Sequence, residues 1–389
     1  MRPPRTQRIG VIIEGPHIVR LVVFFTVIMM ILFIMIGTLT SLKPEYRLSS
    51  SSVHQWAAKL TGESFLHLMT FENPYFSQVL PEGNAGPKVS SFLFEIATNI
   101  NFDDPRSFLG RELPYFSIYD GEIIVAGEGT DYTNMPYESA PPVEVLLKER
   151  KASLESLEKA DKPDESAKPK MTTNGKQVVF IYHTHSRESY LPLIPEAKGG
   201  DEAYHSKANV TLVGTRLAEE LEARGIGATV DTTDITGQLL QGGIHYSRSY
   251  DQSRPVVKQA IANNRDLQFF FDIHRDWQTK ENTTVEINGK NYARTYFVIG
   301  GEHAKYERNL KLATDLHELL AKQYPGISRG VTTKSGPGTN GKFNQDLSEN
   351  AIIIEMGGTE NTLEEVYRTT SAIADVFAEY YWQAKKVNN

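Results

Sequence analysis

The sequence predicts an α/β domain with a mostly parallel β-sheet and helices on both of its faces. From residue 177 onward, short apolar segments alternate with segments of helical character. In addition, three of the short segments are almost continuously apolar and rich in β-branched or aromatic residues, as strands buried on both faces are. Strands that alternate with helices form parallel sheets because each helix carries the chain back over the sheet.

Helix and strand signals divide this region in a regular order. Gly225 is the C-terminal stop of the first helix, whereas Ser253 suits an N-cap and Pro255 the first turn of the second. The predicted segments are a strand ending near Tyr182, a helix over 210–223, a strand over 227–231, a helix from Ser253 to about 263, strands over 267–273 and 294–299, a helix over 306–323, a strand over 351–355 and a helix over 362–385.

An apolar segment near the N-terminus predicts a membrane anchor over residues 21–42, behind a cytoplasmic tail of residues 1–20. About 20 apolar residues span a hydrocarbon core of roughly 30 Å. The positive-inside rule places the four preceding arginines in the cytoplasm and the rest of the chain outside (Arg2, Arg5, Arg8, Arg20). A cleavable signal peptide is the alternative, but its apolar region is normally shorter and ends at a small-x-small site. Residues 37–41 match such a site only weakly.

Two further regions separate the anchor from the predicted sheet. Residues 43–137 begin with a Ser-rich spacer and continue with mixed patterns, which predicts a small α+β accessory domain. Residues 138–175 are rich in Lys, Glu, Ala and Ser, and we expect a charged linker there because such a segment buries too little apolar area to fold alone. The α/β domain is therefore predicted to cover residues 176–389.

Composition excludes several classes of function. The formal net charge is −7, and no basic stripe is present outside the extreme N-terminus, so nucleic acid is not a predicted partner. The chain has no cysteine. Disulfides and thiolate ligands are thereby excluded, and any metal site must use His, Asp or Glu.

Three predicted strands end in residues that bind metals or transfer protons. His185 follows the first apolar strand, His274 follows Phe269–Ile273, and Glu355 follows Ile352–Ile354. The carboxyl ends of parallel strands meet at one edge of an open sheet, where α/β proteins place their sites. Imidazole and carboxylate together are zinc ligands. The pattern therefore predicts a Zn²⁺ site with His185 and His274 as ligands, and a metallohydrolase.

A third ligand and a general base complete the predicted site. Glu188 lies three residues after His185, so a helical turn would place both side chains on one side, although Glu196 and Glu202 are close enough to compete. Glu355 precedes Met356 and two glycines that leave room beside it, so it suits a base that takes a proton from water.

Neighbouring residues are candidates for supporting or substrate-contacting roles, namely His183, Arg275 and Asp276. His183 and His185 also resemble the His-x-His of barrel amidohydrolases, but the catalytic segment is too short for eight βα units. Residues 336–342 form a Gly-rich segment that we expect to be a loop beside the site.

Three segments together resemble the stage II sporulation protein P family. They are Ile181-Tyr182-His183-Thr184-His185-Ser186-Arg187-Glu188-Ser189-Tyr190, Phe271-Asp272-Ile273-His274-Arg275-Asp276 and Ile354-Glu355-Met356-Gly357-Gly358. The C-terminal part is in turn similar to zinc-dependent N-acetylmuramoyl-L-alanine amidases. By that resemblance His185 and His274 match the zinc histidines and Glu355 the catalytic glutamate. The chain lacks the Asp-Pro-Gly-His-Gly-Gly opening of those amidases, whose ligand glutamate also lies farther from the first histidine.

The resemblance implies an amidase-like fold and a cell-wall hydrolase that is anchored in the membrane of a spore-forming bacterium and acts during engulfment. Its substrate would be peptidoglycan, cut at the muramoyl-L-alanine amide and at peptide cross-links. Its partners would be the cell membrane and proteins D and M of the same sporulation stage, at the membranes between mother cell and forespore. Two alternatives are a wall-binding scaffold without catalysis, and a zinc peptidase or deacetylase that acts on another peptidoglycan bond.

Overall fold

The computed structural model describes residues 25–26, 29–30, 121–137, 140–148, 150–153, 169, 171–335 and 339–387. All but the first four of these residues belong to one compact unit, Asn101–Asn389. The predicted anchor over 21–42 and the predicted accessory region up to residue 120 lie almost entirely outside the described residues. Among the helices that are described, none is both long enough and apolar enough to cross a bilayer.

The centre of the unit is a seven-stranded sheet in the order β1-β8-β7-β9-β4-β2-β3. Four of its six neighbouring pairs are parallel, and β7–β9 and β1–β8 are antiparallel. A separate antiparallel hairpin is formed by β5 and β6. The strands are β1 (Gly121–Ala126), β2 (Gln177–Tyr182), β3 (Gly227–Val230), β4 (Phe269–Asp276), β5 (Thr284–Ile287), β6 (Lys290–Ala293), β7 (Thr295–Gly300), β8 (Ser328–Lys334) and β9 (Ala351–Gly358).

Helices cover both faces of this sheet, so the predicted fold class, α/β with a mostly parallel sheet, is confirmed. One face packs in the main core against α2, α6 and α7, and the other packs against α4. The helices are α1 (Val143–Leu147), α2 (Thr211–Ala223), α3 (Ile235–Gln241), α4 (Ser249–Asn263), α5 (Lys280–Thr283), α6 (Tyr306–Gln323) and α7 (Leu363–Val387).

Alternation along the strands decides which residues meet at each face. Phe271 and Ile273 of β4 belong to the main core, whereas Phe270 packs on the opposite face with Val257 of α4. Residues two apart in a strand share a face. His274 therefore projects to the face that α4 covers, and this places it on the same side as Phe270.

Several elements differ from the predicted ones. Gly121–Ala126 lies inside the region predicted as a separate accessory domain, yet it forms the edge strand β1 of the main sheet, paired with β8. The sheet thus begins well before residue 176. The helix expected to begin at Ser253 begins at Ser249, which leaves Pro255 inside it. β4 continues past Ile273 to Asp276, so His274 belongs to the strand itself.

Candidate metal centre

A tight turn after β2 brings His185 and Glu188 together. The backbone N–H of Glu188 donates a hydrogen bond to the carbonyl of His185 at 2.9 Å. The chain thus leaves the extended conformation at this point, and residues three apart come to lie on one side of the turn. Oε1 of Glu188 is 3.3 Å from Nδ1 of His185, and both side chains are buried. The predicted His185–Glu188 spacing therefore corresponds to a direct contact.

His274 reaches the same carboxylate from β4. Its Nδ1 lies 3.7 Å from Oε2 of Glu188. The same oxygen accepts a hydrogen bond at 3.0 Å from the backbone N–H of Arg275, so the strand itself fixes the carboxylate. His185, Glu188 and His274 each offer a ligand atom, and these atoms all lie within 4.8 Å of one another.

This group has the donors and the spacing that a zinc ion requires. Two ligand atoms about 2.0–2.1 Å from zinc at tetrahedral angles are roughly 3.4 Å apart, close to the 3.3 Å and 3.7 Å found between Glu188 and the two imidazoles. Nδ1 of His185 and Nδ1 of His274 are buried and form no hydrogen bond with any described residue. Buried polar atoms are rarely left in that state unless an ion or water binds them. The residues therefore fit a metal ion.

The electrostatics of the site also favour a cation. Burial raises the pKa of Glu188, but its close contact with His185 and the charges of His185 and His274 lower it by more, to about 2. Burial likewise lowers the pKa of His274, while the charges of Asp272, Glu188 and Glu355 raise it, to about 10. Glu188 is consequently ionised at neutral pH. A buried region that holds several carboxylates stabilises positive charge, whether on an imidazole or on a metal.

Glu355 stands beside His274 on the neighbouring strand. The two residues are partners in the parallel pairing of β4 and β9, so their side chains share a face. Glu355 is 1% exposed, and its backbone carbonyl accepts a hydrogen bond at 2.8 Å from Oγ1 of Thr295. Its negative charge is one of those that raise the pKa of His274. The predicted general base is thus adjacent to the predicted ligand.

Two tyrosines that were not predicted as site residues lie against the histidines. Tyr246 stacks on His185 with ring centres 4.8 Å apart, and Tyr250 of α4 stacks on His274 at 6.1 Å. Both tyrosines come from the α3–α4 region, which follows β3 and carries no apolar strand that points to a site. These ring contacts form because α4 packs on the sheet. No local sequence pattern predicts that packing.

The other predicted site residues have different surroundings. His183 is buried against α2, where its Nδ1 is 2.9 Å from the carbonyl oxygen of Asp231. Arg275 projects over the ring of Tyr204. Asp276 is paired with Arg329. These three side chains are not members of the three-residue metal group.

The competing carboxylates lie outside that group. Glu196 is exposed to solvent. Glu202, whose side chain is 36% exposed, accepts a hydrogen bond from the backbone N–H of Lys198 at 2.9 Å. The structure therefore supplies Glu188 as the carboxylate between the two imidazoles.

Fold and site together define an α/β protein with a buried His–Glu–His group that fits a metal ion, the ligand set of many zinc hydrolases. Comparison with known proteins identifies its family. The family described as "Stage II sporulation protein P (SpoIIP)" matches residues 103–378. The chain is also 50% identical over 387 residues to "Stage II sporulation protein P" of Bacillus subtilis (strain 168), covering 99% of this chain and 96% of that protein. The chain therefore belongs to the stage II sporulation protein P family.

Solved structures with some similarity include two amidases. One is an N-acetylmuramoyl-L-alanine amidase from Clostridium difficile 630, with 16% identity and a TM-score of 0.33, covering 55% of this chain and 99% of that one. The other is the CwlD amidase from Clostridioides difficile in complex with the GerS lipoprotein, with 14% identity and a TM-score of 0.33, covering 54% of this chain and 99% of that one.

Proposed function

We propose that this protein is a zinc-dependent cell-wall hydrolase that cleaves the amide between the lactyl group of muramic acid and L-alanine, and also cuts peptide cross-links. The observation that carries the proposal is the group formed by His185, Glu188 and His274, with ligand atoms within 4.8 Å of one another and Glu355 on the strand beside it. The choice of bond rests on the resemblance of the C-terminal motifs to those of muramoyl-alanine amidases.

The residues have separate roles in this proposal. His185, Glu188 and His274 would hold the zinc ion. The chemistry that a bound zinc ion supplies is Lewis-acid polarisation of a carbonyl group and acidification of water. Glu355 takes a proton from the attacking water and passes it to the leaving nitrogen. The position of Glu355 suits this task, because it is buried and lies beside His274 on the neighbouring strand.

The proposed setting follows from the predicted anchor and from the family. An anchor over residues 21–42 would hold the catalytic domain outside the cell membrane, within reach of nearby peptidoglycan. We propose a role in engulfment during sporulation, together with proteins D and M of the same stage. The supporting observations are the family match and the 16 nearly uninterrupted apolar residues from Leu21 to Ile36.

Digestion of purified peptidoglycan by the full-length protein tests the proposed reaction. The products are analysed by mass spectrometry, with chelator-treated protein and zinc-resupplied protein as matched samples. Free lactyl carboxylates together with stem peptides that begin with L-alanine are expected, and they should disappear with chelator and return with zinc. New peptide amines with intact lactyl amides would identify a peptidase, and free glucosamine amines a deacetylase. A protein that binds peptidoglycan but releases no product in any sample would be a scaffold.

A further inference from the structure

Asp272 contacts His274, one of the two histidines of the candidate metal centre, and lies in the same strand. It lies two residues before His274 in β4, so both side chains project to the same face of the sheet. Oδ1 of Asp272 is 3.1 Å from Nε2 of His274. The other ring nitrogen, Nδ1, faces Glu188. One nitrogen of His274 is therefore directed to the metal group and the other to Asp272.

The carboxylate of Asp272 is held at both of its oxygens by the residue that precedes His185. The backbone N–H of Thr184 donates to Oδ1 at 2.8 Å, and the Thr184 hydroxyl donates to Oδ2 at 2.6 Å. Thr184 and Asp272 are both fully buried. Asp272 thus joins the two segments of the chain that carry the metal-type histidines, β4 and the turn after β2.

The same network continues into the helix that covers the site. The hydroxyls of Thr184 and Ser253 of α4 are 2.8 Å apart, and Nδ2 of Asn344 donates to Oγ of Ser253 at 2.9 Å. Asn344 also donates to the carbonyl of Tyr250, whose ring stacks on His274. These contacts leave the Asp272 carboxylate little freedom to move.

We propose that Asp272 is a positioning residue for the metal site, a role that rests on the proposed zinc function. Its carboxylate accepts a hydrogen bond from Nε2–H of His274, which holds the proton on Nε2 and leaves Nδ1 unprotonated and directed to the ion. The two atoms are within hydrogen-bonding distance but are not aligned as a hydrogen bond. We expect the imidazole to turn into alignment when Nδ1 binds the ion. Carboxylates that accept a hydrogen bond from a ligand histidine in this way fix its tautomer and its orientation.

Zinc affinity of the full-length protein tests this role without using activity. We expect Asp272→Asn to weaken zinc binding by roughly 10–100-fold in competition with a chromophoric chelator, and to change the visible absorption spectrum of the cobalt-substituted protein. Glu220→Gln is the matched control. Glu220 is also a buried carboxylate, but it is paired with Arg216 of α2 and with Arg224, the residue that follows α2. This variant should therefore bind zinc as the unaltered protein does.

Thr184→Val gives a second test if Asp272→Asn does not fold. It removes the hydroxyl that donates to Asp272 while keeping the shape of the side chain, and it should weaken zinc binding several-fold. Wild-type zinc affinity and a wild-type cobalt spectrum in the folded Asp272→Asn protein, or in Thr184→Val if that is the variant that folds, would overturn the positioning role. Failure of the unaltered protein to bind zinc is a different result, because it overturns the proposed metal function and this role with it.

Discussion

His274 and Glu355 occupy facing positions on two adjacent parallel strands, β4 and β9. Backbone hydrogen bonds between buried strands therefore set the distance between His274, a proposed metal ligand, and Glu355, the proposed general base. A site built on strands is held more precisely than one built on loops. His185 and Glu188, by contrast, come from a turn, and that turn is fastened to β4 by the hydrogen bond between Arg275 and Glu188.

The first prediction concerns Glu355→Gln. The amide has nearly the shape of the carboxylate but cannot accept a proton, so hydrolysis of peptidoglycan should fall by roughly 10²–10⁴-fold. Because Glu355 is not one of the three residues that form the candidate metal centre, the zinc content of the variant should stay the same. Product release from purified sacculi and zinc analysis of the same preparation measure the two effects. Unchanged hydrolysis would remove Glu355 from the proposed mechanism.

The second prediction concerns the two imidazoles. His185→Ala and His274→Ala each remove a nitrogen ligand from a site with three protein ligands, and we expect zinc content to fall from about one ion per chain to near zero. Hydrolysis should be lost with it. Metal analysis after dialysis measures the effect. If either variant keeps its full zinc content, the histidine that it lacks is not a zinc ligand.

The third prediction distinguishes the carboxylates near His185. Glu188→Gln should weaken zinc binding by more than the roughly 10–100-fold that loss of a supporting residue costs, because Glu188 contacts both imidazoles. Glu202→Gln is the matched control, since Glu202 is partly exposed and bonded to Lys198. Chelator competition on the two variants gives the comparison, and equal affinities would argue against Glu188 as a ligand.

The main parts of the site could be predicted because each depends on local sequence. An apolar strand followed by His or Glu is visible in the chain, and the three-residue spacing of His185 and Glu188 predicts their proximity if the chain turns. Asp272 could also have been selected, since it is two residues before His274 and a strand has a period of two. It was not selected because it lies inside the predicted strand over 267–273, whereas the candidate residues were those that follow a strand.

The parts that were missed depend on contacts between distant segments. β1 pairs with β8, about 200 residues further along the chain, and no local pattern specifies such a partner. β8 itself, Ser328–Lys334, has a polar sequence but is buried throughout, because it lies between β1 and β7 and packs against α6. Likewise the stacking of Tyr246 on His185 arises only once α3 and α4 have packed on the sheet.

The fourth prediction concerns pH and the ion pair between Arg254 and Asp346. Burial raises the pKa of Asp346, but its hydrogen bonds with Arg254 and the charge of Arg254 lower that pKa by more. The net result is a pKa below the ordinary value of 3.8. Because its pKa is lower in the folded than in the unfolded state, ionised Asp346 stabilises the folded state at pH values above 3.8. This contribution is lost as the pH falls through the folded-state pKa. Asp346→Asn should therefore reduce stability at neutral pH and have a smaller effect in acid.

Chemical denaturation at a series of pH values measures this dependence. Asp266→Asn serves as the control, because the Lys176–Asp266 pair has side chains that are 61% and 45% exposed, and exposed ion pairs contribute little. A stability loss in Asp346→Asn that is the same at pH 7 and in acid would show that the Arg254 pair does not produce it.

The fifth prediction concerns the packing of His183 against Gly214 of α2. A Cβ atom at Gly214 would lie 2.2 Å from Nε2 of His183 and 2.5 Å from its Cε1. Alanine in a helix is favoured over glycine by about 1 kcal/mol, but overpacking of a buried site costs about 1–3 kcal/mol. Gly214→Ala should therefore lower the free energy of unfolding, as measured by chemical denaturation.

A double-mutant cycle with His183→Ala separates these two contributions. His183→Ala removes the ring that a Cβ at Gly214 would contact most closely and leaves Cγ2 of Ile181 at 3.1 Å. In that background the helix preference should outweigh the remaining contact, so adding Gly214→Ala should raise stability. The effect of the same substitution thus changes sign between the two backgrounds. If Gly214→Ala destabilises both backgrounds equally, the contact between His183 and α2 does not limit the size of residue 214, and the cost arises elsewhere in the helix packing.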